Sequence, residues 1–308
     1  MIVDQFRSLL LPSNPVFTRA RQGKWLPNIF AAIGVLALLI FLAFGSCAIV
    51  IKIATGDSEQ IDRFMESTYG LIVPFLLLTA LTLLWVRVVE RRAPATLGLT
   101  RKDAWFSYLK GFAVGLVVMG VIVGGMALVG GVTVQTGGTL PTGKAALGVV
   151  LTLLIAYIIQ GGTEELLFRG WFMQVLGARY RPWVGVLVSS VLFCAFHGSL
   201  RPTTIIHLLI VGLLLSFYCL REGSLWGICG IHSAWNWAQG NVFGLPVSGY
   251  EPTGGSLFDL QPTGNPLLTG GDYGPEGGLI GLVVLLAGSA VFVMTGKNGR
   301  DQSVESKP

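Results

Sequence analysis

Three short clusters in this chain have the residue types and the spacing to do chemistry. Glu164 and Glu165 are adjacent acids with Arg169 four residues beyond the second, Phe193 stands four residues before His197, and His232 stands four before Asn236. Residues four apart share a helix face, so Glu165 is expected to reach Arg169, Glu164 to lie over Phe168, Phe193 over His197, and His232 over Asn236. A carboxylate hydrogen-bonded to water, with a neutral imidazole sharing that water, is a general-base arrangement. A second imidazole and an amide supply donors for a developing oxyanion. Glu164, His197, His232 and Asn236 would therefore suit addition of water to a peptide carbonyl. Glu164, His197 and His232 would also suit a zinc ion with three protein ligands and one water, and spacing does not separate the two. The plainer role is a buried polar network that locks helices together.

These residues meet only if helices bring them to one level. With Ala178–Pro182 as a turn, Glu164 lies fifteen residues before Arg179 and His197 fifteen after Pro182, so both stand about 22 Å above the turn at 1.5 Å per residue. His232 and Asn236, counted from Gly223, stand about 13–20 Å up by the same rise. The helix carrying Glu164 would run from about Ala145 to Ala178, roughly 50 Å, which calls for tilt, a bend at Gly161-Gly162, or protrusion. The cluster takes in two of the three histidines and what read as the only two deeply placed acids. An i, i+4 pair away from water neutralises itself, so Glu165 and Arg169 are expected to orient Glu164 and not to react. His207 returns through the turn at Pro202 to the level of His197 but has no motif partner, and is expected to pack behind the site. Trp235 and Trp237 are expected to pack helices or mark an interface.

The setting makes such polar residues expensive. The chain is 52% hydrophobic and only 12% charged, against about 25% charged in soluble domains, and an ionisable group near a bilayer centre costs at least roughly 2.5–3.5 kcal/mol. Runs of about 20 apolar residues predict an all-α, polytopic integral membrane protein with about eight spans near Ile29–Ile53, Tyr69–Val89, Gly111–Val132, Ala145–Trp171, Trp183–His197, Thr203–Leu220, Leu225–Val242 and Gly278–Met294. Placing both termini in the cytoplasm puts 17 of the 21 Lys and Arg residues inside, among them Arg101, Lys297, Arg300 and Lys307, and leaves Lys52, Arg63, Lys144 and Arg201 outside. The net charge of +5 is therefore topological, and no nucleic-acid partner is expected. No cleavable signal peptide is expected. Cys47, Cys194, Cys219 and Cys229 lie in apolar segments without C-x-x-C spacing, which argues against a disulfide framework or a thiolate metal site.

The chain divides into three regions. Residues 1–144 hold a cytoplasmic segment and three spans that read as scaffold, with Gly120, Gly124, Gly125, Gly130 and Gly131 suggesting close helix packing; the basic loop Arg91–Lys110, with Trp105, Phe106 and Tyr108, fits an interfacial segment. Residues 145–242 hold the clusters. Residues 243–308 hold a Gly/Pro/Thr-rich outer loop, the last span and a tail. That loop lacks the apolar content for a core of its own and reads as surface, with a lid over a cavity as the alternative.

The ordered motifs Glu164-Glu165-x-x-x-Arg169, Phe193-x-x-x-His197 and His232-x-x-x-Asn236 resemble those of the CAAX-protease and bacteriocin-processing (CPBP, or Abi) family, related to the type II CAAX prenyl endopeptidases. The resemblance covers roughly Ala145–Asn241, and the run Pro266-Leu267-Leu268-Thr269-Gly270-Gly271 through Pro275-Glu276-Gly277-Gly278 is similar to what many bacterial members carry before their last span. It implies an intramembrane endopeptidase with an eight-helix core, in a bacterial inner membrane, acting on a membrane protein or peptide. Glu164 and His197 would activate water, His232 and Asn236 would hold the oxyanion, and Glu165, Arg169 and Phe193 would support them. No cofactor is expected, because an Asn amide is a poor zinc ligand and a good oxyanion donor; zinc on Glu164, His197 and His232 is the alternative. The competing class is a non-enzymatic immunity or scaffold protein. A transporter is disfavoured by the absence of a repeated half-sequence with broken helices.

Overall fold

The computed structural model describes residues 2–100, 102–135 and 138–295; Arg101, Lys297, Arg300 and Lys307 lie outside these. Helix forms at all eight expected places. We label these α1 (Ile29–Thr55), α2 (Thr68–Val88), α3 (Ala104–Leu128), α4 (Gly143–Arg179), α5 (Pro182–Phe196), α6 (Pro202–Glu222), α7 (Trp226–Trp237) and α8 (Leu279–Met294). Five of them, α1, α2, α3, α4 and α6, are long and apolar enough to cross a membrane, which makes the chain a multi-pass integral membrane protein. α5 and α8 are shorter apolar helices, and α7 continues as a wider helix through Phe243. Large apolar side chains such as Phe30, Ile53 and Leu128 stand exposed on the outer faces, the pattern expected where lipid replaces water.

Local sequence sets the helix ends. Asn28 and Ser67 accept hydrogen bonds from Ala31 N and Gly70 N and so cap α1 and α2. Pro182 and Pro202 occupy the first turn of α5 and α6, where their missing N–H costs nothing. α6 stops at Gly223, whose φ of 69° is the left-handed conformation that favours glycine.

The fourth helix differs from expectation in where it is irregular. It runs 37 residues, passes through Gly161-Gly162 unbroken, and widens to a π-helix over Leu166–Phe172, just after the paired acids. Such widened turns occur mostly where a side chain must be re-aimed. The segment Arg91–Lys110 beyond α2 also differs. α3 already begins at Ala104, so Trp105, Phe106 and Tyr108 stand in its first turns. Trp105 and Phe106 are exposed, as an interfacial segment would have them, but Arg92 is buried with Glu90 in an ion pair of 2.7 Å. Glu90 also accepts from the Trp171 indole at 2.6 Å, and Arg92 bonds Thr96 and Gln174. The scaffold region therefore contains a buried acid, and Glu90 and Glu276 join Glu165 as buried acids; the count of two read from sequence was too low.

Close packing falls on other glycines than the five named from the third span. A Cβ at Gly120, Gly124 or Gly130 would meet nothing within 4 Å. Gly125 faces one side chain, Ile280, and a Cβ at Gly131 would meet Thr269 Cγ2 at 2.7 Å, Met126 O and Val129 Cγ2. The tight contact is between the N-terminal half of α3 and α7: a Cβ at Gly111 would lie 1.9 Å from Gly227 O, and one at Gly230 would lie 2.1 Å from Tyr108 O. Backbones touch here because no side chain intervenes.

The outer loop is ordered against the helices. Its strand β2 (Leu260–Pro262) pairs antiparallel with β1 (Val132–Val134), Thr133 opposite Gln261, so the fold is helical apart from this ribbon. Tyr273, Pro275, Glu276 and Gly277 are buried. The loop has no core of its own and borrows one from α6, α7 and α8.

Gly111→Ala is expected to lower the thermal unfolding midpoint in detergent through overpacking of about 1–3 kcal/mol. Gly124→Ala, which meets open space, should leave the midpoint unchanged or raise it; equal effects would refute the contact map.

Candidate active site

Glu165 is the most deeply placed of the candidate residues. Its side chain and that of Arg169 are fully buried, 2.9 Å apart. Arg169 also donates to Gly212 O at 3.3 Å and sits 4.3 Å over the Phe193 ring, so Phe193 supports the cation from α5. The expected pair is present, but it does more than neutralise itself. The same Glu165 oxygen, Oε1, lies 2.8 Å from His232 Nδ1. An ionised carboxylate only accepts, so Nδ1 carries the hydrogen and Nε2 is turned the other way, toward Glu164 Oε2 at 3.8 Å. His232 therefore stands between the two acids.

Glu164 is 17% exposed, against 0% for Glu165, which separates one partly accessible acid from one that is sealed. Glu164 accepts a hydrogen bond from Gln160 Nε2 at 2.5 Å, and Gln160 Oε1 accepts from Asn236 Nδ2 at 2.9 Å. Gln160 is the residue that sequence reasoning missed. Its signal was available: it is a buried amide one helical turn before Glu164 in an otherwise apolar run.

His197 ends α5. Its Nδ1 lies 2.7 Å from Phe193 O, a carbonyl that can only accept, so Nε2 is left as the acceptor. Phe193 joins the two histidines, 4.6 Å from the His197 ring and 6.2 Å from that of His232, and meets Phe168 edge-on at 5.5 Å. Among the described residues no hydrogen bond or ion pair links Glu164 directly to His197; the imidazole that reaches Glu164 is His232. Among the described residues no three His, Cys, Asp or Glu side chains gather as a metal-holding group; His232 Nδ1 is held by Glu165, and its Nε2 lies 3.8 Å from Glu164 Oε2.

His197, His232, Asn236 and Phe193 open on a cavity of about 430 Å³. Its walls are apolar side chains of α3, α6, α7 and α8, and it runs to Lys110, Arg221 and Glu222 at the far end. The outer loop supplies Ser248 and Glu276 to the near end. Glu276 accepts from Trp235 Nε1, Ser248 N and Ser248 Oγ, each at 3.0 Å. Trp235 is thus a cavity wall tied to the outer loop, while Trp237 packs as expected, bonded to Val150 O and set 5.9 Å from Phe112.

A family model matches the stretch that carries these residues. Residues 146–238 match the family described as type II CAAX prenyl endopeptidase Rce1-like. This segment is similar to that family. A relative in Escherichia coli, named as an uncharacterized 24.3 kDa protein, is 39% identical over 85 residues, which is 27% of this chain and 39% of the relative. No solved structure matches. The Rce1-like segment contains Gln160, Glu164, Glu165, Arg169, His197, His232 and Asn236, and the helices outside it, α1 to α3 and α8, pack around it.

Arg169→Met would leave the buried Glu165 charge without its cation, and a loss of about 3–5 kcal/mol in folding stability is expected. Adding Glu165→Gln should recover much of it; unfolding in detergent measures both, and equal losses in the single and double variants would show that the charge pair is not the cause.

Proposed function

We propose that this protein is an intramembrane endopeptidase that adds water to a peptide bond of a membrane-associated protein or peptide. The observation that carries the reading is the convergence of Glu164 with Asn236 through Gln160 and with His232 directly, while His197, His232 and Asn236 line one cavity, inside a segment that matches an Rce1-like family. Glu164 is the exposed acid and takes the proton of the attacking water. His197, with Nε2 free to accept, holds that water from the other helix. Asn236 uses one N–H on Gln160 and keeps the second for the oxyanion, and a proton on His232 Nε2 gives the second donor. The proton on Glu164 then passes to the leaving amine. Glu165 and Arg169 touch no reacting atom; they set the ring of His232.

The reading takes the reaction as metal-free, with zinc on a rearranged Glu164, His197 and His232 as the alternative. It places eight crossings in a bacterial inner membrane with both termini cytoplasmic, on the distribution of Lys and Arg. A second reading draws on the depth of the Arg169–Glu165–His232 group, which is what a helix lock requires: the protein would then be a non-enzymatic immunity or scaffold factor.

Glu164→Gln is expected to remove the new peptide termini that the wild-type protein generates in membrane peptides, at least 100-fold by comparative proteomics. Unchanged termini with intact folding would sink the general base, and retained biological function in Glu164→Gln and His197→Ala would favour the immunity or scaffold reading. Stoichiometric zinc in the pure protein, lost together with activity on chelation, would reverse the metal-free assignment.

A further inference from the structure

His207 stands apart from the proposed chemistry and is the most unusual residue in the cavity wall. It is fully buried on α6, and among the described residues neither ring nitrogen has a hydrogen-bond partner. The next cavity-facing residues on α6 are Leu208, Val211, Leu214 and Leu215, before Tyr218, Arg221 and Glu222 at the far end, so an aliphatic side chain at 207 would match its neighbours on that wall without burying unsatisfied polar atoms. An imidazole held there without partners needs an explanation. Its position supplies one. His207 meets Trp235 edge-on with ring centres 6.0 Å apart, and Trp235 is the residue before Asn236, so His207 lies on the α6 wall of the same cavity, close to the level of His232 and Asn236. On its other side it is packed by α8, where a Cβ at Gly281 would lie 3.2 Å from His207 Cε1.

We infer that His207 is a substrate-binding residue, whose imidazole hydrogen-bonds the peptide on one side of the scissile bond and so selects which bond is presented to Glu164. The inference rests on the endopeptidase reading. An extended peptide advances about 3.3 Å per residue. With its reacting carbonyl held by His232 and Asn236, a hydrogen-bonding group on a neighbouring residue falls across the cavity, where α6 offers this imidazole.

The experiment compares cleavage sites in the membrane peptides of cells carrying wild type, Glu164→Gln, His207→Leu or His207→Gln, with each variant's folded amount measured in detergent. His207→Leu is expected to lose about tenfold at the wild-type sites and to change the residues flanking those that remain, while His207→Gln, which still donates and accepts, keeps most of them. On a synthetic peptide of the most abundant site, His207→Leu should raise KM about tenfold with little change in kcat. The same sites at wild-type yield in His207→Leu would overturn the assignment, as would a uniform drop in both His207 variants that matches their loss of folded protein. If Glu164→Gln keeps the wild-type products, the endopeptidase reading has failed and this inference falls with it.

Discussion

A single carboxylate oxygen, Glu165 Oε1, holds the arrangement together, because it is bonded to both Arg169 and His232. A carboxylate with no exposed surface needs a cation beside it and hydrogen bonds to its oxygens; here both bonds fall on Oε1, and Oε2 has no partner among the described residues. Arg169 meets the first need, and its own burial is eased by the Phe193 ring and Gly212 O. Once the acid is fixed, the imidazole is fixed with it. Nδ1 has to donate to Glu165, so Nε2 is the nitrogen left to face Glu164. The chemistry proposed for Glu164 thus inherits its geometry from a neighbour that does no chemistry.

That interaction in turn requires helices at short range. His232 reaches α4 because Gly161 lets the α7 backbone approach, with a Cβ there lying only 3.0 Å from Ser233 N. From behind, α3 presses α7 forward through Gly111 and Gly230 with no side chain between the backbones. On the other flank Thr163 of α4 bonds Thr79 of α2 at 2.7 Å. A charge network of this kind tolerates little displacement, and contacts made by small residues leave little room to move.

How much of this could be read from the residues varied with the range of the interaction. Pairs set by helical periodicity were legible: Glu165 with Arg169, Phe193 with His197, and the places of all eight helices. The equal depth assigned to His197 and Glu164 put them on the right helices but did not reveal that His232 stands nearer to Glu164, since height along a helix says nothing of rotation about it. The glycine contact was misplaced for the same reason. Gly120 and Gly124 match a small-residue pattern as well as Gly111 and Gly115 do, and only the position of α7 distinguishes them. Glu90 and Arg92 read as loop charges because their partners, Trp171 and Gln174, are some eighty residues away. The outer loop read as surface because its composition forbids a private core, and composition does not report that Glu276 finds its partners in Trp235 and Ser248.

One helix, α4, serves two buried charge groups. Each residue of a regular helix advances about 100° around the axis, so Trp171, six residues after Glu165, would stand about 120° from it and Gln174, nine after, about 180°. The π-helical stretch Leu166–Phe172, which takes more residues per turn, lies between the acids and Gln174. Glu164 and Glu165 face α7 while Trp171 and Gln174 meet the Glu90–Arg92 pair beyond α2. Each end of the wide stretch is held by its own ion pair, Arg169 with Glu165 at the start and, through the Trp171 indole, Arg92 with Glu90 at the end. With both ends held, Glu165 stays sealed between Arg169 and His232, and Glu164 keeps the partial exposure that its neighbour lacks.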